Sequence, residues 1–363
     1  MVRVVGHLDL DYFYAQVEEV LNPGLKGKPV VVCVFSGRTE DSGVVATANY
    51  LARSFGVGSG MPIVQAKRRL EKAGAEIVRM ERAKYEEVSE RVMSIVDEEV
   101  DVFEQTGIDE AFLDLTASSE GDYGRAQEIA ARVKRVVLES ERLTCSIGIG
   151  RSKVVAKIAS DFRKPDGLTV VRPTETEAFL SPLSVTKLYG VGPKSAGLLS
   201  ALGIGTVGEL ASASAQDLEG KFGRKLAVYL LAAARGTDDE PVSPRGEPTQ
   251  LSRIVTLRQD TADAEAAFEQ LADAVADVHR RLTSRSASFR TISVIGILSD
   301  LTVKTKSKTF EAPLSDLGVM RGATQELLEE LGRSAGKEFR RAGIRVSDLA
   351  GTGDQSSLSE FLR

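Results

Sequence analysis

Two adjacent carboxylates, Asp109 and Glu110, stand in the string GIDEAF at residues 107–112, and a third, Asp9, stands in LDLDYFYA near the N-terminus. Neighbouring anions repel one another unless a cation joins them. Three carboxylates meeting at one point hold two divalent ions, an arrangement that activates one oxygen and stabilises another during phosphoryl transfer. Polymerase chemistry is therefore the leading expectation. Each acid alone has a plainer use, because an Asp in a turn satisfies nearby backbone. Asp11 is expected to have that use, as N-cap of the helix-like YFYAQVEEVL.

The elements around these acids must bring them together. VDVFEQT (100–106) alternates as a half-buried strand and AFLDLT (111–116) reads as its antiparallel partner, which puts Asp109 and Glu110 at the hairpin tip. VRVVGHL leads into Asp9 and has to lie beside that hairpin. KPVVVCV (28–34) and GVVATA (43–48) read as strands joined by the turn-rich FSGRTEDSG, followed by short helices in NYLARSFG and PIVQAKRRL, with Pro62 in a first turn. Longer helical patterns follow in ERAKYEEVSERVMSIVDEEV, DYGRAQEIAARVKRVVLESE and the Ser-capped SKVVAKIASDF, with the strand LTCSIGIG before the last. Strand–helix alternation without a glycine-rich dinucleotide signature predicts an α+β, multi-domain protein.

A chain of 363 residues predicts two to four domains, and its 42% apolar and 27% charged content predicts well-buried cores under a soluble surface. Neither a membrane-length apolar run nor a signal-peptide pattern is present. Cys33 and Cys145 sit in apolar, strand-like stretches, so buried thiols in a reducing cytoplasm are expected. Two histidines without a Cys/His cluster argue against structural zinc. His7 and His279 have no evident catalytic companions, which argues against nucleophile–histidine hydrolysis. A net charge of −5 does not suit a nucleic-acid binder as an average, so basic character has to be local.

Beyond Leu180 short helical segments are punctuated by glycine as far as Gly236. LYGVGPKSAGLLSALGI (188–204) has the look of a helix–hairpin–helix, in which Gly190 and Gly192 present backbone N–H groups to a DNA phosphate while Ala196, Leu199 and Leu202 pack the helices. The alternative is an ordinary tight turn. TDDEPVSPRGEPTQ (237–250) reads as an extended linker. After it come a strand (251–257), a helix (264–282), strands at 289–299 and 302–310, a helix (321–332) and a strand (339–346), a split β-α-β-β-α-β module. Its first helix is acidic. Its strands carry Arg253, Arg258, Arg290, Arg340, Arg341 and Arg345, and Lys304, Lys306 and Lys308 recur at every second residue, on one strand face. That face is expected to lie along phosphates, with a lysine-protected edge strand as the alternative.

With these features assembled, the chain resembles the Y-family translesion DNA polymerases, and most closely their archaeal DinB-type branch. The likeness runs over nearly the whole chain and is densest in LDLDYFYAQVEEV, LKGKPVVVCVFSGRTEDSGVVATANYLAR and SKVVAKIASDFRKPDG. It implies a right-hand polymerase: palm at 1–20 and 77–166, small fingers at 21–76, helical thumb with the hairpin motif at 167–236, linker at 237–250, little finger at 251–349 and a flexible tail at 350–363. The family's metal ligands fall on Asp9, Asp109, Glu110 and the backbone carbonyl of Leu10, for two Mg²⁺ ions with Mn²⁺ as the alternative. Its triphosphate contacts fall on Tyr50, Arg53 and Lys164, with Phe13 and Thr47 nearby. Its steric gate falls on Tyr14, and the residues over the nascent base pair on Val34, Arg38 and Val44. DNA contacts are expected at Gly190, Gly192, Lys194, Arg253, Arg290, Lys304, Lys306, Lys308, Arg340 and Arg341.

Two departures are visible. Gly107 stands where the family's acidic motif usually has Ser, and DDEPVSPRGEP is mixed in charge where relatives often carry a basic linker. In the tail, Gln355, Leu358, Phe361 and Leu362 resemble the peptide by which proteins bind a sliding clamp, Leu358 and Phe361 falling on one face of a helical turn. The implied activity is low-fidelity, template-directed DNA synthesis without a proofreading exonuclease, by a cytoplasmic monomer acting on primer–template DNA and deoxynucleoside triphosphate. A palm-type nucleotidyl cyclase and a non-catalytic, clamp-recruited DNA-binding adaptor are the alternatives.

Overall fold

The structure, a computed structural model, describes residues 1–244 and 246–351. They form two compact units: Met1–Val34 with Val44–Arg245, and Phe35–Gly43 with the residues from Gly246 onward.

The first unit opens with β1 (Val5–Leu10) and α1 (Phe13–Leu21). β2 (Val30–Phe35), β3 (Gly43–Ala48), α2 (Tyr50–Ser54), α3 (Ile63–Leu70) and β4 (Glu76–Arg79) follow, and β4 pairs in parallel with β2 in a sheet ordered β3-β2-β4. β4 was not foreseen. It adds a parallel strand to the small sheet. Next are α4 (Arg82–Glu98), β5 (Val102–Gln105), β6 (Glu110–Asp114), α5 (Tyr123–Glu141), β7 (Cys145–Gly150), α6 (Lys153–Phe162) and β8 (Leu168–Val170). The larger sheet runs β5-β6-β1-β7-β8, with β1 antiparallel to both its neighbours. Alternation sorts β7: Cys145, Ile147 and Ile149 join the core under α4 and α5, while Gly148 lies against α6. A Cβ on Gly148 would meet the Ser160 nitrogen at 2.1 Å, so glycine is what lets α6 lie directly on the sheet.

Asp11 is not the helix cap. Tyr12 takes a left-handed φ of 36° and α1 starts after it without a side-chain cap. Asp11 is buried, accepting hydrogen bonds from Thr144 Oγ1 (2.9 Å), Ser146 Oγ (2.8 Å) and the Asp166 nitrogen (2.8 Å). It ties β1 to β7 and to the turn after α6.

The thumb consists of α7 (Thr176–Leu180), α8 (Pro193–Ser200), α9 (Val207–Ala211), α10 (Ala215–Phe222) and α11 (Arg224–Ala234) around Leu199, Leu210, Leu218 and Leu230. Before the hairpin there is only a single 3₁₀ turn, Val185–Lys187. Gly190 is left-handed at φ 83° and Gly192 caps α8, whose start therefore carries exposed backbone donors. The linker is less free than its composition implies. Arg3 donates to the carbonyls of Asp238 and Glu240, Lys153 bridges Glu104 and Glu240, and Val242 is buried with Val5, Phe112 and Ala156.

The second unit contains β9 (Gln250–Thr261), α12 (Ala264–Thr283), β10 (Ala287–Leu298), β11 (Val303–Leu314), α13 (Leu317–Ala335) and β12 (Phe339–Gly351), the expected split module in the antiparallel order β11-β10-β12-β9. Ile292, Val294, Ile344 and Val346 pack under both helices. The lysines do share one face, but it is the helix face. Lys304 Nζ caps the Ser334 carbonyl at 2.8 Å, Lys306 lies 3.7 Å from Glu330 and Lys308 2.6 Å from Glu326. Arg253 likewise turns to Asp277 of α12 at 2.9 Å. The open sheet face instead carries hydroxyls, with Thr291 beside Thr309 and Ser293 beside Ser307, together with Arg341 and Arg345, register partners of Ile297 and Ser293.

Candidate active site

β1 brings the backbone positions of the acids next to one another, because its Asp9 is the direct register partner of Glu110 on β6. Directly opposed residues of an antiparallel pair share a face, with Cβ atoms about 5 Å apart. The Leu10 nitrogen donates to the Asp109 carbonyl at 2.8 Å, which fixes the turn onto the strand. Further bonds hold the turn itself: Gly107 N to Glu110 O (3.2 Å), Gln105 Nε2 to Gly107 O (2.9 Å), and Ser89 Oγ of α4 to the Ile108 carbonyl. Asp9 and Asp109 line a cleft of about 190 Å³ with Leu10, Phe13, Tyr14, Thr47, Tyr50, Arg53 and Lys164.

Two lysines balance the carboxylates. Lys164 Nζ lies 2.5 Å from Asp9 and 3.0 Å from Asp161, and Lys157 Nζ lies 2.5 Å from Glu110. His7, wholly buried, places Nε2 3.5 Å from Glu110 and Nδ1 2.8 Å from Ser160 Oγ. Ser160 is also buried, so this Ser–His contact offers no nucleophile to a substrate. His7 and Lys157 hold Glu110 down to about 2 against burial. Burial raises Asp9 to about 6 despite Lys164, and burial together with Glu110 raises Asp109. His7 is lowered by burial and is neutral near pH 7.

Carboxylates with a backbone carbonyl beside them are the donor set of a hard divalent cation. As the side chains stand, however, no group of three or more His, Cys, Asp or Glu among the described residues is gathered closely enough to hold one. The lysines fill that electrostatic role, and Glu110 is turned toward Lys157. The donor chemistry fits a divalent cation.

The raised value of Asp9 has a measurable consequence. In the folded protein Asp9 holds its proton up to about pH 6, whereas the ordinary aspartate value is 3.8, so ionising it costs stability as pH rises through that window. Asp9→Asn, which leaves Lys164 paired with Asp161, is expected to stabilise the protein in EDTA by about 1–3 kcal/mol at pH 8. The gain should fade by pH 4. Thermal melts at the two pH values check this, and an equal or lower Tm at pH 8 would refute it.

The other side of the cleft suits phosphate oxygens. The Tyr50 hydroxyl is buried without a hydrogen-bond partner, an orphaned donor on a residue of the cleft lining. Arg53 lies over the Tyr50 ring at 4.8 Å and donates to the Ala48 carbonyl. Phe13 and Thr47 are buried beside them. Val34 and Val44 are exposed apolar residues at strand ends of the fingers sheet. Arg38 groups with the second unit, where it donates to the Leu257 carbonyl (2.6 Å), the Arg340 carbonyl (3.1 Å) and the Asp260 carboxylate. Lys194, Arg290 and Arg341 are exposed, and Gln355, Leu358, Phe361 and Leu362 lie outside the described residues. Sequence reasoning missed His7 and Lys157. Signals existed, since His7 is two residues from Asp9 on the same strand face and Lys157 is seven before Lys164.

Residues 8–161 match the model of the impB/mucB/samB family, residues 248–359 that family's C-terminal domain, and residues 186–238 the DNA polymerase-iota thumb domain. A DNA polymerase IV from Methanosarcina acetivorans is 44% identical over 367 residues, 99% of this chain and 100% of the relative. Another from Nitrosopumilus maritimus is 41% identical over 99% of both chains. Among solved structures, the Y-family DNA polymerase chimera Dbh-Dpo4(243-245)-Dbh is similar with a TM-score of 0.90 at 37% identity, covering 96% of this chain and all of that one. An insertion ternary complex of Dbh DNA polymerase covers the same shares, with a TM-score of 0.69 at 37% identity.

Proposed function

Because this chain belongs to the impB/mucB/samB family, the Y-family DNA polymerases, we propose that it extends a primer by two-metal nucleotidyl transfer in the cleft between β1, the 107–110 turn and α2. It is a DNA-directed DNA polymerase of the translesion type, and its relatives give no support to the cyclase or adaptor readings. A divalent metal cofactor comes with that family. The cleft carries the proposal: acids that suit cations and donors that suit a triphosphate line one cavity.

Asp9, Asp109, Glu110 and the Leu10 carbonyl would hold two Mg²⁺ ions, which when bound lower the pKa of the primer 3′-hydroxyl and neutralise the leaving pyrophosphate. Tyr50, Arg53 and Lys164 supply hydrogen bonds and positive charge to the triphosphate oxygens, with Thr47 and Phe13 shaping the floor. Lys164, paired with Asp9 at 2.5 Å, would turn to phosphate if a cation held that carboxylate. Tyr14 excludes a ribose 2′-hydroxyl, and Val34 and Val44 roof the new pair. Primer–template DNA and deoxynucleoside triphosphate are the substrates. The thumb's Gly190–Gly192 segment with Lys194 holds the duplex backbone, as do Arg290, Arg340, Arg341 and the hydroxyl-lined sheet face. The tail residues Gln355, Leu358, Phe361 and Leu362 bind a sliding clamp, and the enzyme works in the cytoplasm as a monomer. Among the described residues no helix is long and apolar enough to cross a membrane.

Extension of a labelled primer across an abasic template position tests this reading. Products reaching beyond the lesion are expected, and a stop immediately before it in every condition would refute lesion bypass.

A further inference from the structure

We infer that Gly107 and Lys157 are positioning residues that park Glu110 away from the cation site, so that this chain completes its metal site only when Glu110 rotates. The inference rests on the assignment of Glu110 as a metal ligand.

The side-chain contacts of Glu110 describe a parked position. Its Oε2 lies 2.5 Å from Lys157 Nζ and 3.5 Å from His7 Nε2. Asp9 and Asp109 line the nucleotide cleft, but Glu110 does not. No metal-ready group of three acids exists among the described residues, although Asp9 and Glu110 are direct register partners.

Gly107 is what permits this rotamer. A Cβ at that position would stand 2.9 Å from Glu110 Cγ and 3.4 Å from Asp109 Oδ1. The first distance is closer than real Cβ contacts come, so something must move. The turn backbone resists, because Gly107 N bonds Glu110 O, Gln105 holds the Gly107 carbonyl and Ser89 holds the Ile108 carbonyl. The Glu110 side chain, held only by side-chain contacts to Lys157, His7 and Thr106 Oγ1 (3.4 Å), is the part that gives, and rotation about its own torsions takes it off Lys157. Gly107 does not lie in the left-handed region, so a side chain there carries no backbone strain. Any β-carbon therefore acts as a wedge that unparks the ligand, and the hydroxyl of a serine is not needed for it.

Lys157 acts from the opposite side, as an ammonium that a divalent cation has to outcompete for Glu110. Apparent affinity is intrinsic affinity scaled by the fraction of molecules in the competent rotamer, so removing either feature strengthens binding.

The test is titration of Mn²⁺ into full-length protein free of DNA and nucleotide, with free Mn²⁺ read by electron paramagnetic resonance. Gly107→Ala and Gly107→Ser are each expected to tighten binding roughly three- to tenfold, and Lys157→Met to do so by a similar factor. Lys157→Arg should stay near wild type. In the Gly107→Ala/Lys157→Met double variant the two gains should not multiply, since both act on one rotamer. Thermal melts and circular dichroism establish that each variant is folded. If folded Gly107→Ala and Lys157→Met proteins bind Mn²⁺ as wild type does, or more weakly, parking is wrong. Glu110→Gln separates the two levels. Weakened Mn²⁺ binding in that variant supports the ligand assignment, whereas unchanged binding overturns both that assignment and the inference built on it.

Discussion

Replacing Asp109 and Glu110 together with alanine is expected to lower primer extension by about 10⁴-fold or more, to the background of the assay. The turn that carries both residues is held by backbone bonds and by Gln105 and Ser89, none of which uses either carboxylate, so the hairpin should survive the change. Removing Asp109 relieves a buried anion whose charged form is disfavoured, while removing Glu110 strands Lys157 without its partner. These effects oppose one another, so a melting temperature near wild type is expected beside the lost activity. Single substitutions should each cost nearly as much as the pair, because groups that act as a unit are not additive. Extension that persists in the double variant at more than a few per cent of wild type would remove these acids from the chemistry.

Tyr14→Ala should raise incorporation of ribonucleotides relative to deoxynucleotides by about a hundredfold or more, measured as the ratio of kcat/KM values. The expectation comes from how firmly the ring is backed. Tyr14 packs at 4.6 Å, centroid to centroid, on Tyr85, which is fully buried and bonded through its hydroxyl to Glu18 at 2.6 Å. Phe13 lies 5.5 Å from Tyr14 and 6.4 Å from Tyr85, so the three rings form one cluster. A ring so supported cannot retreat from an added hydroxyl, whereas alanine leaves space for one. Deoxynucleotide incorporation should change far less. A ratio unchanged within twofold would assign sugar discrimination to another residue.

The chemistry-bearing hairpin was legible because its evidence is local: alternation in VFEQ and AFLD, a turn between them, and an apolar strand ending at Asp9. The split module was legible for the same reason, its six elements each carrying a clear period. What periodicity does not contain is which face of a sheet is covered. Lys304, Lys306 and Lys308 share a face as spacing requires, yet the face meets α13, where Glu326 and Glu330 stand four apart as a matching acidic stripe. Pairing those two patterns would have found the ion pairs, and Arg253 with Asp277 follows the same logic. Asp11 was misread for a different reason. Cap chemistry is shared by every Asp before a helix, and only the left-handed Tyr12 reveals that the helix starts too late for it. Lys157 and His7 escaped because their partner is distant in sequence and the contact exists only once α6 lies on the glycine face of β7.

The buried bonds of Asp11 also fix the two ends of the cleft to one another. One carboxylate joins the strand of Asp9 to the turn that follows Lys164, through Thr144, Ser146 and the Asp166 nitrogen. The Asp9 end and the Lys164 end of the cleft thus share one jig, cut by the fold itself. Their alignment runs through a single buried carboxylate.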